Sequence, residues 1–130
     1  MAVAYHSDMR KIGPDAQIVA VTHQWGPYYT ERVRAVQNGT WKSGNLWGGV
    51  REGMIRVDGF GSRVPMAVQQ EVLNAQKAIG TGKLQPFRAG KVAVRDNEGH
   101  EKIAAGQVLS DAQILSMNWL VEGVSGKLGR

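Results

Sequence analysis

Hydrophobic positions along the chain fall into blocks whose spacing predicts strands and helices in turn. Residues 18–21, Ile-Val-Ala-Val, form a continuous apolar run rich in β-branched side chains. That is the pattern of a strand covered on both faces, as in a parallel sheet. The spacing then changes, and Tyr29, Val33 and Val36 recur at helical intervals. Pro27 suits the first helical turn, where its missing N–H has no partner to lose. Asn38-Gly39 supplies a left-handed stop. Residues 17–22 are thus expected as a strand, with His23, Gln24, Trp25 and Gly26 in the loop before the helix. Upstream, residues 3–5 end another strand, His6-Ser7-Asp8 follow at its carboxyl end, and Gly13-Pro14-Asp15 makes a turn.

Downstream, residues 41–49 are rich in Gly and Trp and read as a loop leading into a short strand. Residues 54–58 alternate, with Ile55 and Val57 on one face and Arg56 and Asp58 on the other, which predicts a half-buried strand. A second helix is expected over 65–79. Val68, Val72, Ala75 and Ile79 make its apolar stripe, Gln69, Gln70 and Glu71 fall largely away from it, and Gly80 ends it. Val92 and Val94 alternate with polar neighbours, residues 96–99 signal a turn, and Lys102-Ile103-Ala104 return as the partner of a hairpin. Ser110 with Gln113 three residues on is a capping-box pattern that starts a short third helix. Residues 117–124 read as a final strand. Only two candidate parallel strands are present, and a parallel sheet needs flanking strands and covering helices. The sheet therefore reads as incomplete, its remainder lying on another chain or in a longer protein.

Composition narrows the function classes. The 130 residues amount to one domain or part of a larger one. No apolar run is long enough to cross a bilayer, and the strand-like residues 2–5 follow Met1 with no signal peptide expected in this chain. With no cysteine, disulfides, thiol catalysis and Cys-based metal sites are excluded. The net charge of +5 raises nucleic acid as a partner. The cations are spread along the chain with acids interleaved, however, and no basic stripe forms, so a solvated surface is the better reading. His6 and Asp8 with Ser7 or Ser43 contain the residue types of a hydrolase, but a triad is defined by geometry and roles. There is no Gly-x-Ser-x-Gly elbow and no Walker-type phosphate loop. No second histidine stands at a ligand-like helical spacing. No catalytic residue, metal or cofactor is assigned.

An ordered set of short motifs carries a resemblance. His6-Ser7-Asp8-Met9, Gly13-Pro14, Trp25-Gly26-Pro27-Tyr28-Tyr29, Asn38-Gly39-Thr40-Trp41-Lys42, Trp47-Gly48-Gly49, Arg51-Glu52-Gly53-Met54, residues 105–111 and Trp119-Leu120-Val121-Glu122-Gly123 occur in sequence. Together they resemble the basic membrane protein (BMP) family, the substrate-binding proteins of ABC importers related to nucleoside-binding lipoproteins. The resemblance covers essentially the whole chain. It implies an α/β fold, part of a type I periplasmic-binding-protein fold with a parallel sheet flanked by helices, incomplete without its upstream lobe. Residues 1–130 would be the C-terminal portion of a two-lobed solute-binding domain. The implied ligand is a purine, a nucleoside or a similar heteroaromatic, and the implied partner is an ABC permease in the membrane. The full-length family protein is expected to be periplasmic or membrane-anchored and extracytoplasmic. The alternative is a ligand-sensing regulatory domain of the same fold. Lacking half its cleft, the chain alone is expected to bind ligand weakly or not at all, and also to self-associate through open sheet edges.

The expected ligand-binding residues are His6, Asp8, His23, Trp25, Gly26 and Arg51. A site for flat ligands needs apolar faces for stacking and a few placed polar groups. Trp25 offers a face to a ligand, or packs as a core tryptophan beneath the helix. Asp8 accepts from ribose hydroxyls or a base N–H, or serves as a turn residue. His6 sits beside it in the loop after the first strand. His23 ends the second strand, as a ligand contact or as hydrogen-bonded structure. Arg51 matches a position where nucleoside-binding relatives carry a lysine that reaches the sugar, and a planar fork replaces that point donor. Gly26 stands where such relatives carry an acidic residue. A glycine offers no ribose contact there, which leaves a free base or another heteroaromatic open beside the nucleoside. His100, in the hairpin turn, reads as surface.

Overall fold

The computed structural model describes residues 1–129, which divide into two units, residues 1–84 and the segment from Gln85 onward. In the first unit, β1 (Ala2–His6), β2 (Gln17–His23) and β3 (Ile55–Asp58) form one sheet in the order β1-β2-β3, with α1 (Trp25–Gln37) and α2 (Met66–Gly80) between and after them. The β1–β2 pair is parallel, with Val3 opposite Val19 and His6 opposite Thr22. β3 is antiparallel to β2, with His23 opposite Ile55 and Ala20 opposite Asp58. The sheet is therefore mixed, which corrects the expectation of a parallel one. The cause is where the chain comes back. The Gln24 N–H donates to the Met54 carbonyl at 2.9 Å, so β3 begins at the end of the sheet where β2 stops and must run the other way.

β2 is the central strand, and its Gln17 and Ala20 are buried. Gly61 closes on it, donating its N–H to the Ile18 carbonyl at 2.9 Å. A side chain at Gly61 would overlap the Gln17 carbonyl oxygen, so this approach requires glycine. α1 begins at Trp25, two residues earlier than the loop expectation. Trp25 and Gly26 are its first residues, Pro27 lies in its first turn, and Gly39 (φ 66°) takes the left-handed stop. Neither long helix buries a residue fully. The stripe on α2 is also rotated from the expected one. Gln69, Val72, Gln76 and Ile79 are half-buried while Val68 and Ala75 are exposed. The two glutamines are on the inner face because they have backbone work there. Gln76 Oε1 accepts the Val57 N–H at 2.5 Å, and Gln69 Nε2 donates to the Val64 carbonyl at 2.9 Å.

The second unit holds the hairpin β4 (Val94–Arg95) and β5 (Glu101–Ile103), then α3 (Asp111–Leu115). Ala89, Ile103 and Leu109 form its buried core, with Val94, Ile114 and Trp119 packed against it. The capping box is present: Ser110 Oγ accepts the Gln113 N–H, and Gln113 Oε1 accepts the Ser110 N–H at 2.9 Å. Residues 117–124 do not form the expected strand. They make one bridge, Asp96 with Val121, and then turn, with the Val124 N–H donating to the Val121 carbonyl at 3.1 Å. Among the described residues no helix is long and apolar enough to cross a membrane.

Candidate functional site

Adjacent parallel strands end side by side, so the residues after them meet without any special device. His6 ends β1 and His23 ends β2, and their Nδ1 atoms are 3.1 Å apart. The ring planes differ by 22°, with centroids 4.8 Å apart. His23 is followed by Trp25, whose ring lies 5.4 Å away and within 12° of the same orientation. Trp25 in turn lies 5.8 Å from Tyr29 at 30° and meets Tyr28 edge-on at 6.0 Å. Tyr5 closes the other side, 3.9 Å from His6. Six rings from β1, β2 and the start of α1 thus form one patch. Trp25 is 47% exposed, which favours an accessible face over the core-tryptophan alternative. His6 holds its place with φ 70°, a left-handed conformation that non-glycine residues adopt rarely and that His tolerates better than most.

The six expected residues separate. His6, His23 and Trp25 come together. Gly26 follows Trp25 as the second residue of α1, and a side chain there would point into open space. Arg51 is exposed in the turn of residues 50–53 just before β3, at the end of the sheet that carries the rings. Asp8 is drawn elsewhere. Arg10 grips its carboxylate through Nε at 2.9 Å and Nη2 at 2.5 Å, and Gln17 Nε2, from the opposite end of β2, donates to it at 3.0 Å. The Arg10 side-chain bond, followed by the Arg10 backbone N–H, holds this carboxyl far below the usual carboxylate range. Asp8 thus anchors the β1–β2 connection, in line with its turn-residue alternative.

Tyr5, Tyr28 and Tyr29 were not singled out as site residues from the sequence. The signal for Tyr28 and Tyr29 was their place one turn from Trp25, where helix neighbours share a face. Tyr5 had no local signal beyond preceding His6. Arg32 sets its guanidinium 5.2 Å from the Tyr28 ring centroid, a cation–π contact on the outer edge of the patch. Neither Ser7 nor Ser43 hydrogen-bonds a histidine, and no cluster of three metal-ligating side chains occurs, among the described residues. The arrangement offers flat faces and imidazole edges, which suit binding of a planar ring.

No family model matches the chain. It is 39% identical, over 122 residues and 94% of its length, to a purine-binding protein of Brucella abortus (strain 2308), and it spans 34% of that protein. A more distant similarity, 23% identity over 75 residues, joins 58% of the chain to 19% of a provisionally named ABC transporter glucose-binding protein of Haloferax volcanii. The chain therefore spans about a third or less of the curated relatives it matches. Both relatives are named as binding proteins rather than enzymes. Among solved structures, a transcriptional activator of the comK gene from Bacillus halodurans shares the fold, with a TM-score of 0.57 at 22% identity over 66% of this chain and 30% of that one.

Proposed function

We propose that this chain is part of the substrate-binding component of an ABC importer and holds a small planar heteroaromatic solute, a purine or purine nucleoside, on the ring patch. The observation that carries the reading is the His6–His23–Trp25 run of near-parallel rings at the ends of two parallel strands. Its support is the similarity to a protein named purine-binding. Each ring contributes a face or an edge, and base–aromatic stacking is worth about 1–3 kcal/mol per base. Gly26 leaves open space where an acidic side chain would meet a sugar, so the free base is preferred over the nucleoside. In the BMP-type architecture a second lobe closes over the ligand by hinge motion, and the closed form docks on a membrane permease outside the cytoplasm.

The test is a ligand titration of this chain and of a version extended upstream through the second lobe of the proposed architecture, followed by NMR and by thermal shift, with adenine, adenosine and glucose. Binding is expected of the extended form and only weakly, or not at all, of this chain alone. Adenine is expected to perturb the Trp25 indole signal and raise the melting temperature, because a ligand that binds only the folded state stabilises it. Adenosine is expected to bind more weakly and glucose not at all. Trp25→Ala is expected to lower adenine affinity by about tenfold or more, the loss of one stacking contact. Binding of glucose alone would overturn the reading.

A further inference from the structure

We propose that Arg32 sets which planar ligands the ring patch accepts, and that it selects rings with an oxo or anionic edge, such as oxopurines, over amino-substituted ones. The proposal rests on the ring-patch reading and deepens it by naming the substrate class. Trp25, Tyr28, Tyr29 and Arg32 stand at i, i+3, i+4 and i+7 of α1, so they share one stripe of the helix. Long side chains on a helix lean back towards its N-terminus. Arg32 does so, and its guanidinium lies 5.2 Å from the centroid of the Tyr28 ring. Tyr28 in turn meets Trp25 at 6.0 Å. The cation thus stands one ring away from Trp25, on the stripe that carries the rings.

The state of this guanidinium points to a ligand. Its Nε is shut off from solvent and has no hydrogen-bond partner. Among the described residues no other N–H of the group donates to a protein acceptor, and no carboxylate pairs with it. Asp8 and Asp58 are taken by Arg10 and Arg56. Glu31, the one acid of α1, is next to Arg32 in sequence, and adjacent helix positions face different ways. The ring contact holds the charge in place but uses none of its donors. Leaving a buried donor unmade is costly. A guanidinium fork is shaped for two parallel bonds to oxygen acceptors. The complement is a flat ring that stacks on Trp25 and turns oxygen towards Arg32. The carbonyl edges of oxopurines have it, and the urate anion adds a full negative charge. Adenine has ring nitrogens but no oxygen, and its amine sets donor against donor.

The experiment compares uric acid, which is ionised at neutral pH, with adenine, on the chain extended upstream as above. Calorimetric titration at pH 7.5 is expected to give at least tenfold tighter binding of urate, because a charge-assisted hydrogen bond is about twice as strong as a neutral one. Arg32→Met keeps an apolar stem and loses the fork. It is expected to bring the urate preference below about threefold and to leave adenine affinity within about twofold. Arg34→Met removes the same charge from another face of α1 and is expected to leave the preference unchanged. Equal or weaker binding of urate by the unsubstituted protein overturns the proposal, whether or not either variant folds, and leaves the ring patch standing as a stacking site. An equal loss of both ligands in Arg32→Met assigns Arg32 to packing and overturns it too, as does an equal fall in preference in Arg34→Met. No binding of either ligand overturns the ring-patch reading, and this proposal with it.

Discussion

The two units solve the problem of burial in opposite ways. Residues 1–84 contain most of the regular structure, three strands and two long helices, yet neither long helix buries a residue fully and only Ala20 represents the buried apolar core there. Tyr29, Val33 and Val36 on α1 stay more than half exposed. The segment from Gln85 has two very short strands and one short helix, but it closes a small core of Ala89, Ile103 and Leu109. Among the described residues, each unit has one buried polar side chain that ties loops together. Gln17 joins Met9, Asp8 and Gly59 in the first. Asp96 joins Glu98, His100 and Lys102 in the second. Regular secondary structure and burial are thus separate achievements. Period and propensity produce strands and helices, whereas a core also needs something to lie against both faces.

The comparison breaks most sharply at glycines. Gly61→Ala would force a methyl into the Gln17 carbonyl, backbone against backbone, with no flexible side chain to give way. The expected cost is about 3 kcal/mol, the upper end of ordinary overpacking. Gly90, in the second unit, has nothing within 4 Å of an added Cβ, so Gly90→Ala is expected to change stability by less than about 0.5 kcal/mol. Denaturant unfolding, with hydrogen exchange at Val21 and Val57, measures both. Equal costs would mean that the strand-to-loop closure in the first unit is not the tight contact described.

Asp96 is the next test, because its role depends on charge and that of Gln17 does not. Its carboxylate accepts from the Glu98 N–H at 3.0 Å and the His100 N–H at 2.8 Å, and meets Lys102 Nζ at 3.2 Å. Burial pushes the Asp96 carboxyl up, but the bonds from the His100 backbone, Lys102, the Glu98 backbone and the His100 ring outweigh it and bring the value to about 2. Asp96→Ala strands these donors and is expected to cost about 1–3 kcal/mol. The sign of the pH dependence follows from a folded value below the ordinary 3.8. The stabilisation is fully present above 3.8 and is lost as pH falls through about 2. Hydrogen exchange at Ile103 and Leu109 is expected to accelerate over that window in the native chain and not in Asp96→Asn. Acceleration in both would assign the acid sensitivity to another group.

Where the sequence succeeded and failed follows the same division between local and distant causes. β2, α1, the hairpin turn and the α3 capping box were legible because each is written in neighbouring residues: a β-branched run, a helical spacing, a turn cluster, Ser110 with Gln113. The direction of β3 was not, because alternation in residues 54–58 is the same in either direction. It is set by the return of the chain to Gln24. Residues 117–124 carry an apolar pattern, but strand status depends on a partner, and Arg95 to Asn97 offer only a short one. The meeting of His6 with His23 was implicit in two parallel neighbours. The capture of Asp8 by Arg10 and Gln17 was not, since it needs the chain to fold back along the sheet.

The smallest expected effect concerns helix ends, where the units differ again. α1 and α2 start at Gln24 and Pro65 with no side-chain cap, while the five-residue α3 has a complete capping box. A short helix has few internal bonds to offset its nucleation cost, so its cap matters more. Ser110→Ala removes the acceptor for the Gln113 N–H and loosens Ile114 from the core. The expected cost is about 1 kcal/mol. Gln24→Ala removes only a 3.4 Å bond to Thr22 Oγ1 and no cap, so it is expected to stay within about 0.5 kcal/mol. Paired urea titrations give the comparison directly. A larger loss at Gln24 would mean that the start of α1, beside the rings, depends on that side chain for more than its hydrogen bonds show.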